Sequence, residues 1–113
     1  VGFSDFTPTF SEIAGAKLPG RSDGASFLAE LQGVPSKARD PVFIYYWPRP
    51  EKGNPLRFAR DQRWKLYGDG RLIDVPNDVM EESPVTGQAK VRERLQKVID
   101  RMPAKGQTLL QFD

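Results

Sequence analysis

The 113-residue sequence contains neither cysteine nor histidine. Without Cys there are no disulfides, no thiolate metal sites and no cysteine nucleophile. Without His there is no Ser-His-Asp triad, no imidazole base and no imidazole metal ligand. Acid–base chemistry would fall to carboxylates, Lys or Tyr. No apolar run approaches the ~20 residues needed to span a bilayer, so no membrane partner is expected. Charge of one sign is also scarce: 17 Lys plus Arg face 15 Asp plus Glu, and a net charge of +2 does not itself call for nucleic acid. Missing Cys is compatible with any compartment. The chain opens at Val1 rather than Met, which implies processing or excision from something longer. Its length fits one small domain, able to bury roughly 65% of the surface its unfolded chain exposes.

What is present is organised by pattern. In Ser4-Asp5-Phe6-Thr7-Pro8-Thr9-Phe10-Ser11-Glu12-Ile13-Ala14-Gly15, the residues Phe6, Phe10, Ile13 and Ala14 share one helical stripe that must bury against something. Ser4 or Asp5 can cap this helix, Pro8 fits its first turn, and Gly15 stops it. Residues 17–24 read as a loop. Residues 26–32 read as a short helix, with Phe27, Leu28 and Leu31 inward and Gly33 ending it.

Pro41-Val42-Phe43-Ile44-Tyr45-Tyr46-Trp47 is the strongest strand pattern, and its unbroken apolar run predicts a central strand or one covered by a neighbour. Residues 56–60 and 63–67 alternate, with Asp61-Gln62 as a tight turn; Gly68-Asp69-Gly70 turns into a further strand over 71–75. These make an antiparallel meander with one apolar face. Residues 86–102 predict a helix with Val91, Leu95, Val98, Ile99 and Met102 on one stripe, Thr86 as its cap and Pro103 as its stop. That helix should lie across the apolar side of the sheet. Leu109, Leu110 and Phe112 suit an extra strand or a groove-filling tail.

Chemistry is harder to find. Gly68-Asp69-Gly70 precedes a strand pattern rather than a helix, so it is no phosphate cradle. Asp74, Asp78, Glu81 and Glu82 match no ordered calcium loop, and the default for such loop carboxylates is exposure to water. Trp47, Trp64, Tyr45, Tyr46 and Tyr67 near basic residues resemble an RNA-binding sheet, but aromatics at alternate strand positions are more often core, and nucleic acid is not expected. Residues 49–71 hold seven cations (Arg49, Lys52, Arg57, Arg60, Arg63, Lys65, Arg71) against three acids, a local excess of +4. This stripe would favour an acidic polysaccharide, or else be an ordinary solvated strand face.

Four segments together resemble a known family. Ser4-Asp5-Phe6-Thr7-Pro8-Thr9 with Glu12-Ile13-Ala14-Gly15 resembles the helix closing the catalytic domain of arylsulfatases. Asp23-Gly24-Ala25-Ser26-Phe27 with Leu31-Gln32-Gly33 resembles that family's next segment. Ala59-Arg60-Asp61-Gln62-Arg63-Trp64-Lys65-Leu66-Tyr67 is similar to its R-x-x-x-W/Y-K-L hairpin. Asp74-Val75-Pro76-Asn77-Asp78 with Glu81 is similar to its D-L-x-N-D-P-x-E turn, Val79 replacing Pro. Order and spacing hold over residues 3–82.

The resemblance implies an α+β fold: two short helices, then a four-stranded antiparallel sheet packed by a C-terminal helix, as in the C-terminal subdomain of an alkaline-phosphatase-like sulfatase. Residues 1–40 would end the family's catalytic domain and 41–113 would form the subdomain. The family's formylglycine comes from a C/S-x-P-x-R motif that does not occur here, so formylglycine and calcium are expected only outside this segment. No catalytic or metal residue is carried over. The expected partner is the catalytic domain of the same polypeptide, with periplasmic or secreted location implied, and self-association through an exposed docking surface as a further expectation. Candidate substrate contacts lie on the Pro-rich loop after the first strand: Trp47 to stack on a sugar ring, and Arg49 and Lys52 to meet a sulfated or carboxylated substrate. The alternatives are a free-standing binding module for acidic polysaccharide and a structural or assembly domain.

Overall fold

The computed structural model describes residues 1–18, 20–37, 39–49 and 52–102. The chain divides into two compact units, one of Val1–Arg39 and one beginning at Asp40.

The first unit carries helices α1 (Phe3–Ile13) and α2 (Leu28–Leu31). Gly2, not Ser4 or Asp5, is the N-cap of α1; Asp5 sits one turn in and its Oδ2 accepts from the Gly2 N–H at 2.6 Å. Gly15 at φ +63° ends the helix, as its lack of a side chain allows. The buried face of α1 is polar. Asp5 and Thr9 are each 1% exposed, whereas Phe3, Phe6, Phe10 and Ile13 are 96%, 41%, 62% and 59% exposed. Of the expected apolar stripe, Phe6 packs edge-on against Phe27 of the same unit (ring centroids 5.3 Å), while Phe10 and Ile13 point outward. The polar pair wins because the 22–27 segment offers it unpaired backbone donors: Ala25 N–H to Asp5 Oδ1 at 2.9 Å and Phe27 N–H to Thr9 Oγ1 at 3.1 Å. Arg39 forms an ion pair with the same Asp5 carboxylate. Helix α2 is a single turn rather than the expected 26–32, and Leu31 is exposed rather than inward.

The second unit is an antiparallel sheet in sequential order β1-β2-β3-β4: Val42–Tyr46, Leu56–Arg60, Trp64–Tyr67 and Leu72–Asp74. Helix α3 (Ala89–Asp100) lies across one face. The register places Phe43 opposite Ala59, Ala59 opposite Leu66 and Leu66 opposite Leu72. That row meets Leu95 and Ile99 of α3 in the core, flanked by Trp64, Val91 and Val98. Strand alternation sends the neighbouring residues to the other face. There Ile44 faces Phe58 and Phe58 faces Tyr67. The apolar run of β1 therefore serves two apolar faces, and β1 is an edge strand rather than a central one.

The ends of α3 also differ from expectation. Its N-cap is Gln88 in left-handed conformation (φ +56°), not Thr86. Arg92 fixes this entry by donating to the carbonyls of Gly87 (2.7 Å), Val85 (2.5 Å) and Gly70 (2.6 Å), so it is not a free surface cation. Met102 is 42% exposed. Pro103 and the tail with Leu109, Leu110 and Phe112 lie outside the described residues. Among the described residues no helix is long and apolar enough to cross a membrane.

Candidate functional site

The β1–β2 connection starts at Trp47, and the Tyr46–Leu56 register pair closes its base. Within it the Lys52 N–H donates to the Arg49 carbonyl at 2.9 Å, and Gly53 adopts φ +77°. The β3–β4 turn stands beside it, because Gly68 N–H donates to the Arg57 carbonyl at 2.9 Å. Between the two lies an open cleft of about 580 Å³, lined among others by Trp47, Asn54, Leu56, Arg57, Tyr67 and Asp69. Of the sequence-predicted contacts, Trp47 lines this cleft and is half-buried, while Arg49 and Lys52 are exposed on the loop and are not among its lining residues.

Asn54, Arg57 and Asp69 were not singled out as site residues by the sequence. Arg57 reaches past the sheet to the end of α3, where Nη2 donates to the Ile99 and Met102 carbonyls at 3.3 and 3.4 Å. A cation there complements the carbonyl end of the helix. Asp69 accepts from the Arg71 N–H (3.0 Å) and Nε (2.9 Å). The Arg71 N–H bond holds its carboxyl below the usual range against the opposing effect of burial, and the Arg71 guanidinium adds to this. Among the described residues two buried side-chain nitrogens have no hydrogen-bond partner, Trp47 Nε1 and Arg57 Nε, and both belong to cleft residues.

The cationic stripe resolves into pairs. Arg63 makes a two-pronged bond to Asp74 (2.9 and 2.7 Å) and covers Trp64. Lys65 binds Glu81 at 2.7 Å and lies over Phe58 and Tyr67. Arg60 donates to the Asp61 carbonyl at 3.3 Å. With Arg57 and Arg71 engaged as above, Arg49 and Lys52 are the stripe cations that take no side-chain partner among the described residues.

The acidic turn is likewise committed, and three of its members, Asp74, Asp78 and Glu81, are not the water-exposed carboxylates expected. Asp74 is 8% exposed and takes Asn77 Nδ2 (2.9 Å) as well as Arg63. Glu81 takes Lys65 and the Tyr67 hydroxyl. Asp78 accepts the Glu82 and Ser83 N–H groups at 3.0 and 2.9 Å. Their oxygens face donors rather than one another, and no group of three metal-ligating side chains occurs among the described residues. These residues do not fit the calcium of a sulfatase.

No family model matches the chain. It is 33% identical over 94 residues to an ulvan-active sulfatase of Formosa agariphila, a match covering 80% of this chain and 18% of that protein. Its fold matches BT4656, solved in complex with its substrate D-glucosamine-2-N,6-O-disulfate, with a TM-score of 0.65 and 25% identity over 86% of this chain. The match covers 22% of that chain, so this sequence spans about a fifth of the length of either protein. Sequence and fold agree with the four motifs and the sheet-and-helix unit: the chain belongs to the sulfatase family, as a C-terminal segment of it.

Proposed function

We propose that this segment completes a sulfatase from its C-terminal side and forms the outer wall of its substrate cleft, without catalytic residues of its own. The sulfate-ester chemistry, the calcium and the formylglycine then belong to residues outside the chain. The observation that carries this reading is the inverted α1. An isolated domain places polar residues outward; here Asp5 and Thr9 are buried while Phe3, Phe10 and Ile13 face out and Phe6 is exposed in part. Rings at 5.9–6.4 Å spacing make this one continuous apolar surface. Such surfaces mark contacts. Its occupant is the catalytic part of the same polypeptide, for which the relatives have ample length: the matched region is 18% of one and 22% of the other. In the isolated chain the same face favours self-association. Trp47, Arg49 and Lys52 would stand at the cleft wall facing a sulfated substrate.

The purified 113-residue chain should show no turnover of a chromogenic aryl sulfate, and turnover would refute the reading. The double substitution Phe6→Ser/Phe10→Ser discriminates further. In the isolated chain it should cost no more than about 1.5 kcal/mol, the loss of the Phe6–Phe27 edge-to-face contact. In the full-length polypeptide, where the rings are covered, it should cost about 3 kcal/mol or more and lower activity. Equal effects in both settings would remove the docking face.

A further inference from the structure

We propose that the open edge of β1 receives the chain's own C-terminal segment, residues 108–112, as a fifth antiparallel strand. Residues 103–113 lie outside the described residues. The edge, the place where α3 releases the chain and the pattern of the segment all favour this pairing, and none of them enters the sulfatase reading.

The two edges of the sheet differ. Strand β4 is three buried residues long, and the Val85 N–H covers its outer side by donating to the Leu72 carbonyl at 2.7 Å. Strand β1 is five residues, Val-Phe-Ile-Tyr-Tyr, paired one-to-one with β2 and free of bulge, Pro, Gly or charge. Long, flat, apolar edges of this kind invite a further strand, and folds usually cover or charge them. The outward groups can be named. The Gly68 N–H donates to the Arg57 carbonyl, so the backbone groups of Arg57 turn toward β3, as do those of Ala59 two residues on. Phe43, the register partner of Ala59, therefore turns its N–H and C=O away from β2. Among the described residues neither group has a backbone partner.

Helix α3 ends beside this edge. Arg57 Nη2 donates to the Ile99 and Met102 carbonyls, and the same guanidinium lies 5.8 Å from the centre of the Phe43 ring. The last turn of α3 thus stands over β1. Residues 103–107, which include Pro103 and Gly106, disfavour more helix. They reach at most about 17 Å, enough to step to the Tyr46 end of the edge, one strand spacing of ~4.8 Å outside β1. From there the chain runs back along β1 in the antiparallel sense.

The segment fits that place. Residues 108–112, Thr-Leu-Leu-Gln-Phe, are uncharged and as long as β1, with Lys105 and Asp113 beyond them. Leu110 opposite Ile44 sets Phe112 opposite Val42 on the sheet face away from α3, and brings Gln111 opposite Phe43, where the two can exchange backbone bonds. A slip of one residue would set Gln111 against Ile44 instead.

NMR on the 113-residue chain tests this directly. Ile44 and Leu110 would form a closely spaced pair, with Cα atoms ~4.5 Å apart, so their Cα protons should show a strong through-space contact. The Phe43 amide should exchange at least about tenfold faster in a chain ending at residue 107. Gln111→Pro, which removes the N–H that Phe43 would accept, should have the same effect, and Gln111→Ala, which keeps it, should not. The Leu66 amide, inside the sheet, should stay protected in all three. Absence of the Ile44–Leu110 contact in the unaltered chain would overturn the pairing, as would Phe43 exchange indifferent to truncation and to Gln111→Pro. Phe43 protection that survives truncation and grows with protein concentration would give the edge to a second copy of the chain and overturn it too.

Discussion

Pro8 and Gly24 illustrate how one residue sets the terms for another. Pro8 lies in the second turn of α1, beyond the first turn, where the missing N–H would cost nothing. In an α-helix that N–H would bind the Ser4 carbonyl, so the carbonyl loses its helical partner. Gly24 fills the gap: a Cβ built on it would collide with the Ser4 carbonyl and the Asp5 nitrogen, all of them backbone atoms with no freedom to yield. The Cα–H of Gly24 therefore rests against the orphaned oxygen, a weak but recurrent kind of contact. Gly24→Ala should destabilise the first unit by about 1–3 kcal/mol or more, as overpacking does. Gly20→Ala, whose new methyl would meet nothing within 4 Å, should stay within about 0.5 kcal/mol. Far-ultraviolet circular dichroism and α1 amide exchange would read the difference; equal behaviour of the two variants would show that the close approach has no energetic weight.

Among elements, two of the four motifs shared with the family, the hairpin and the acidic turn, are two halves of one clasp. Arg63 and Lys65 of the hairpin bind Asp74 and Glu81 of the following turn, and the Tyr67 hydroxyl also bonds Glu81. Glu81 adopts φ +58°, uncommon outside glycine, and the clasp supports that geometry. Lys65 binding, then Tyr67, holds the Glu81 carboxyl below its ordinary value of 4.5; Arg63, then Asn77, lowers Asp74 in the same way. A depressed carboxyl gives stability that is complete above its unfolded pKa and is lost as pH falls through the folded one. The melting temperature of the second unit should accordingly hold steady down to about pH 5 and decline below the ordinary carboxylate range. Glu81→Gln should lower stability by about 1 kcal/mol at neutral pH, discounted for solvent screening, or roughly 4–8 °C, and flatten part of the acid decline. Differential scanning calorimetry between pH 3 and 7 would check it, and an unchanged acid limb would detach Glu81 from the clasp's energetics. The sequence made the hairpin legible because alternation and turn residues are local signals. It did not show the clasp, since pairing Lys65 with Glu81 depends on how a turn folds back over the sheet. The site was partly legible for the same reason: Trp47 stands at the end of a visible strand, whereas Asn54, Arg57 and Asp69 meet only through strand register.

Across the whole molecule, burial is uneven. Among the described residues every buried hydrophobic residue lies in the second unit: Ala59, Leu66, Tyr67, Leu72, Ile73, Leu95 and Ile99. The first unit buries Asp5 and Thr9 and relies on their bonds to backbone. Periodicity in the sequence correctly marks α1 as amphipathic, but it cannot say which side meets this chain and which meets a larger partner. That distinction has an energetic consequence. Apolar burial contributes about 25 cal/mol per Å², while a typical internal hydrogen bond adds a net of only ~1 kcal/mol. The first unit should therefore open far more readily in the isolated chain. Native-state amide exchange should show β3 and α3 amides protected at least about 100-fold more strongly than those of α1. Protection of α1 equal to that of β3 would mean that the Asp5–Thr9 network stabilises this unit as well as an apolar core does. On the docking proposal, the Phe6/Phe10 face should close this gap in the full-length protein, because rings that stay 41% and 62% exposed in the isolated chain would then add buried area to α1. Comparing α1 exchange in the two settings measures directly how much of this helix's stability is supplied from outside the segment.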